Sequence, residues 1–144
     1  MPQNRPWENV EYRRRDFYTY ESETVALAVG GSSNDVINIE ADSDFILQKL
    51  TYQADLAGVA QAQATRVIPN VLVQLIDTGS GRQLMQNPIP IPNIFGTGAI
   101  PFILPNPRLF MRNSTIQVAY TSFEAADTPT IRLSFIGYKV YGTA

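Results

Sequence analysis

Residues 71–85 read Val71-Leu72-Val73-Gln74-Leu75-Ile76-Asp77-Thr78-Gly79-Ser80-Gly81-Arg82-Gln83-Leu84-Met85. The first six are apolar except for Gln74, and a carboxylate and a Gly-Ser-Gly turn follow, which is the pattern of a strand covered on both faces or nearly so. A short partner over Arg82 to Met85 makes the segment a β-hairpin. Downstream, Thr115 to Ser122 puts Ile116, Val118 and Tyr120 on one face of a second strand. Thr130 to Tyr141 reads as a third. There Ile131, Leu133 and Phe135 share a face while the apolar series resumes at Tyr138 and Val140, so a β-bulge is expected at Gly137. Phe123 to Pro129 reads as the hairpin connection between these last two strands.

Upstream the same period of two recurs. Val25, Leu27 and Val29 alternate with Thr24, Ala26 and Ala28, and Gly30 to Asp35 supplies turn chemistry. Val36 to Glu40 and Phe45 to Gln53 are two further strands, separated by the polar turn Ala41 to Asp44. Ala54 to Arg66 is either a short helix or a long loop, because alanine and glutamine favour a helix that Gly58 weakens. Six prolines between Asn87 and Pro107 predict rigid extended loop with a short edge strand near Ile100 to Leu104. Seven or eight strands separated by turns define an all-β class, an antiparallel β-sandwich. A jelly roll is the form that fits the length.

Residues 1–22 differ from this pattern and are expected to be an extended N-terminal arm, with residues 23–144 as the single sandwich domain. Trp7, Tyr12, Phe17, Tyr18 and Tyr20 are interleaved there with Arg13, Arg14 and Arg15. Arginine and aromatic side chains cover much area and keep a polar handle, so these eight residues are the candidate partner-binding set.

The composition removes most enzyme chemistry. The 144 residues contain no cysteine and no histidine, which excludes disulfides, thiol nucleophiles, the usual triads and most transition-metal sites. No cofactor is expected. A net charge of −2 offers no footprint for nucleic acid, and no apolar run approaches the length of a membrane span or signal peptide, so neither partner is expected.

The remaining chemical candidates have blander counterparts. Glu40, Asp42 and Asp44 share a parity that suits Ca²⁺, yet a solvated turn is the better reading, and the sixth-position glycine of an EF-hand is missing. Thr78 to Arg82 lacks the lysine and helix of a phosphate loop. Tyr120, Tyr138 and Tyr141 suggest a sugar-stacking platform, although packing within strands is the commoner role. A glycosidase acting through Asp77 and Glu40 ranks last, because no carboxylate spacing rule is met.

The stretch from Pro69 to Tyr141 resembles the small jelly-roll decoration, or cement, proteins of tailed bacteriophage capsids. The likeness rests on Val71 to Arg82, Ile94-Phe95-Gly96-Thr97-Gly98, Leu104-Pro105, Ser114 to Val118 and Leu133 to Lys139. It implies a non-enzymatic virion protein, assembled in the host cytoplasm, that binds the outer capsid surface, bridges major capsid protein subunits and acts as a homo-oligomer, dimer or trimer. The competing expectation is a carbohydrate- or receptor-binding sandwich of a phage head or tail.

Overall fold

The computed structural model describes residues 14–56 and 66–141. Within them the chain forms β1 (Arg15–Thr24), β2 (Ser32–Asn38), β3 (Asp44–Asp55), β4 (Val71–Asp77), β5 (Arg82–Gln83) and β6 (Ile89–Pro90). One helical turn, α1 (Ile91–Ile94), is followed by β7 (Phe102–Phe110), β8 (Thr115–Ser122) and β9 (Thr130–Val140). The strands build an all-β sandwich of two antiparallel sheets. The first has the order β1-β9-β3-β7; the second has the order β2-β8-β4-β5, with β6 also paired to β4.

Pairing is nested along the chain: β1 with β9, β2 with β8, β3 with β7, and β4 with the short β5 and β6. The contacts of β3 with β9 and of β4 with β8 then close each sheet. Between the sheets, Phe45, Leu47, Phe110, Ile131, Leu133 and Phe135 from the first meet Val71, Val73, Leu75, Ile116, Val118 and Tyr120 from the second, all fully buried. Each such side chain contributes roughly 1.5–3 kcal/mol relative to exposure, so this layer holds the sheets together.

Four expectations are corrected. The arm does not extend to residue 22, because Arg15–Thr24 is β1, paired along its whole length with β9. Its inward residues are Tyr20, Ser22 and Thr24, hydroxyl-bearing rather than aliphatic, and that is why the strand is hard to see in the sequence. Second, Val25 to Gly31 is the connection and Ser32 to Asp35 begins β2, the reverse of the expected strand and turn. Third, Phe123 to Pro129 crosses from the second sheet to the first, so it is no hairpin.

The fourth correction concerns the bulge. β9 keeps its alternation from Thr130 to Lys139, turning Gly137 and Lys139 inward and Tyr138 outward. The irregularity lies across from it on β3, where Leu47 faces Gly137, Lys49 faces Ile136 and Gln48 is the extra residue. A bulge bends its own strand toward its neighbour, and the missing side chain at Gly137 makes the room. The proline-rich stretch forms β6, α1 and an edge strand longer than expected, in which Pro105 and Pro107 fall where pairing with β3 is interrupted. Of Ala54 to Arg66, Ala54 and Asp55 end β3, and residues 57–65 lie outside the described residues.

Candidate functional site

Register places Phe17, Tyr138, Ile46 and Leu109 in one row across all four strands of the first sheet. The next row is Thr19, Ile136, Lys49 and Ile103. These side chains point away from the core, and Phe17 is 77% exposed, Ile103 64% and Leu109 49%. Beyond them Glu21, Ser134 and Thr51, then Glu23, Arg132 and Gln53, make a polar flank in which Arg132 bridges Glu23 at 3.4 Å and Glu21 at 3.8 Å. At the opposite end Arg15 lies over the Tyr138 ring at 5.3 Å and Arg14 over Tyr141 at 5.2 Å. The apolar centre is thus bordered by cations on one side and mainly carboxylates on the other.

The outer face of the second sheet is different in kind. Ser32, Thr121, Asn34, Gln74, Gln117, Asn38 and Thr115 occupy most of it, with Leu72, Val36 and Ile76 among them. The apolar row Phe17-Tyr138-Ile46-Leu109 makes the outer face of the first sheet the candidate interaction surface, whereas scattered apolar residues on the other need no explanation.

The candidate residues separate accordingly. Arg15 and Phe17 stand on this face, and Arg14 at its rim also pairs with Asp16 at 3.0 Å. Tyr20 belongs to the core, edge-on to Phe45, and its hydroxyl accepts the Glu40 N–H at 3.0 Å. Tyr18 is half-buried and donates to Glu40 at 2.6 Å. These two tyrosines fasten β1; Tyr20, inside the core, offers no surface to a partner, while Phe17 is the aromatic that β1 exposes. Trp7, Tyr12 and Arg13 lie outside the described residues. Ile46, Leu109, Ile103 and Ile136 were missed, because an apolar residue in a strand reads as core; the usable signal was apolar residues on both parities, as in Phe45-Ile46-Leu47 and Leu109-Phe110-Met111.

Beneath the rim sits Lys139, 4% exposed. Its ammonium lies 3.3 Å from Glu40, 3.4 Å from Asp42 and 4.0 Å from the Tyr18 ring centroid. Burial pulls its pKa down, but hydrogen bonds and attraction from Glu40 and Asp42 outweigh that and hold it above the ordinary value. The Tyr18 hydroxyl, with Lys139, lowers the Glu40 pKa. Asp44 accepts from the backbone N–H and side chain of Arg112 at 3.0 and 3.2 Å. The acidic cluster expected as a solvated turn is therefore engaged by two cations, and no group of three metal-ligating side chains occurs among the described residues.

Tyr120 is fully buried, so it cannot join Tyr138 and Tyr141 in a sugar platform. Its hydroxyl lies 2.5 Å from that of Ser22, which donates to Asp35 at 2.8 Å, linking β8, β1 and β2 through the interior. Burial raises the Tyr120 pKa strongly and that of Tyr20 to a lesser degree, and the bond to Glu40 raises that of Tyr18. These phenols and Lys139 all hold their proton more tightly in the folded state. Their stabilisation is complete below the ordinary tyrosine value of 10.0 and is lost as pH rises through the folded values. Urea midpoints measured from pH 8 to 11.5 are expected to fall steeply above pH 10, with a shallower slope in Tyr120→Phe; an identical slope would contradict this assignment.

Away from this face, Asp77 is buried and accepts from the Gly79 N–H, the Ser80 hydroxyl and Arg108 at 3.0, 3.0 and 3.2 Å. The Thr78-Gly79-Ser80-Gly81 turn is thus organised around its own carboxylate rather than an outside anion. Arg108 stands over Phe110 in a groove of about 640 Å³ between the β4–β5 hairpin and β7, lined also by Leu75, Ile94, Phe102 and Leu104. No protein-family model, curated protein sequence or solved structure matches this chain.

Proposed function

We propose that this chain is a structural component of a bacteriophage head, seated on the outer capsid surface through the outer face of its first sheet and bridging major capsid protein subunits. The sandwich is read with it as a jelly roll. Support comes from the nested pairing of β1 with β9, β2 with β8, β3 with β7 and β4 with β5, the winding produced when one long hairpin is rolled into two sheets. That winding serves both capsid and lectin domains, so the fold alone does not choose between them.

The observation that carries the functional reading is the row Phe17-Tyr138-Ile46-Leu109 on one sheet alone. Adhesion needs a rigid surface with apolar anchors and a charged rim, and this face supplies both. Four strands at about 4.8 Å spacing and two rows about 7 Å apart give a centre of roughly 200–300 Å², apolar but for Thr19 and Lys49, against about 800 Å² per partner in a standard interface. The seat therefore extends into the charged flanks and, in this proposal, to Trp7, Tyr12 and Arg13.

Cosedimentation with shells assembled from the major capsid protein of the same virus tests the reading. Wild-type protein is expected to bind saturably, and the double variant Phe17→Asp/Leu109→Asp to bind about 100-fold more weakly while keeping its fold, since two anchors are lost. Equal binding by the variant, or none by the wild type, overturns it.

A further inference from the structure

The two edges of the first sheet are built differently. On β7, Pro105 and Pro107 interrupt pairing and blunt the edge. On β1 ten residues run without proline, and among the described residues no strand pairs with its outer side. The carbonyl of Arg14 accepts from Tyr141 on the β9 side at 3.0 Å, whereas the N–H of Glu23 turns the other way, to the Asp35 carboxylate at 3.2 Å. Backbone alternation then directs the N–H and C=O groups of Arg15, Phe17, Thr19 and Glu21 to the open edge. The Asp35 cap on Glu23 closes that edge one ladder position beyond Glu21.

We propose that a second copy of this chain occupies this edge, its β1 antiparallel to the first with Tyr18 on the dyad, so that two four-stranded sheets become one of eight strands. Charge and shape choose the occupant and the register. Along the outer face the edge residues read Arg15, Phe17, Thr19, Glu21, and this series is complementary to its own reverse. Arg15 falls opposite Glu21 of the second copy and Phe17 opposite its Thr19, twice each, an opposite-charge pair and an aromatic–β-branched pair of the kinds that stabilise neighbouring strands. Centring the dyad on Glu21 would oppose Glu21 to itself, and centring it on Thr19 would need the Glu23 N–H that Asp35 holds. A twofold contact of this kind closes on itself and leaves no growing edge. It also sets the two copies of Phe17 near each other, joining the apolar rows of both protomers into one wider surface. The inference rests on the edge geometry and stands or falls separately from capsid binding.

Sedimentation equilibrium of the full chain, with subunit mass 16.0 kDa, tests it through a charge swap. The wild type is expected to weigh twice the subunit mass. Glu21→Arg places Arg against Arg15 at both ends and is expected to weaken the dimer at least about tenfold, and Arg15→Glu/Glu21→Arg to restore it. Thr19→Pro is a second probe: its N–H faces away from β9, so the sandwich tolerates the ring, monitored by circular dichroism, while pairing is blocked. A wild type that stays monomeric at roughly 100 µM, far above the micromolar affinity of a modest interface, overturns the proposal. So does a dimer indifferent to both the charge reversal and the proline.

Discussion

Gly137→Ala is expected to lower stability by about 3–5 kcal/mol, a large effect for a single added methyl. The new Cβ would overlap the carbonyl oxygen of Ile46 and come within 3.2 Å of the Leu47 Cα, so the obstacle is backbone and cannot swing aside. It stands where β3 bulges toward β9, and relieving it means either removing the bulge or separating two central strands. Removing the bulge shifts one half of β3 by a residue, which turns Phe45 and Leu47 out of the core and Ile46 into it. Urea denaturation reads the cost directly. Gly98→Ala is the control: nothing lies within 4 Å of its added Cβ, and a change within about 0.5 kcal/mol is expected. Similar midpoints for the two variants would show that the β3–β9 register is wrong.

Asp77→Ala is expected to be strongly destabilising. It strands Arg108, whose Nε is already buried without a hydrogen-bond partner, and it takes the acceptor away from the Gly79 N–H and the Ser80 hydroxyl. Breaking a fully buried pair costs about 3–5 kcal/mol; because the Arg108 side chain retains 29% exposure, roughly 2–3 kcal/mol is expected here. The diagnostic is non-additivity. Asp77→Ala/Arg108→Met removes the orphaned charge along with its partner and fills the groove with an apolar chain, so it is expected to recover about half of the loss. If the double variant is less stable than Asp77→Ala alone, the ion pair is not what makes Asp77 costly to remove.

How far the fold could be read depended on what each strand shows the core. β8 was plain because Ile116, Val118 and Tyr120 face inward on a period of two, and β4 because its run is apolar almost throughout. β1 hid behind the hydroxyl-bearing Tyr20, Ser22 and Thr24; the hydroxyl of Tyr20 is satisfied by Glu40 and that of Ser22 by Asp35 and Tyr120, partners far along the chain. Near its end β9 misled, since an inward lysine followed by two more apolar residues reads as a change of parity. Only the Glu40–Asp42 loop, distant in sequence, makes a buried ammonium at position 139 acceptable. Likewise the seven residues between β8 and β9 fit a hairpin by length, and nothing local says that they cross between sheets.

The candidate surface was half legible for a related reason. Arg15 and Phe17 stood out by composition, whereas Ile46, Ile103, Leu109 and Ile136 were assigned silently to the core. Their exposure follows from register, a property of strand pairs that no single segment carries. Tyr138 was noticed as an aromatic, but its neighbours Phe17 and Ile46 lie on β1 and β3, far away in sequence.

In the proposed role the sandwich presents the outer face of its β1-β9-β3-β7 sheet to a protein shell. Cryo-electron microscopy of the virus particle, with the chain located in the density, tests it most directly. The Phe17-Tyr138-Ile46-Leu109 row is expected to be pressed against major capsid protein subunits, with the amide-rich second sheet toward solvent. A particle without the chain, or one in which that row faces open solvent, would contradict it.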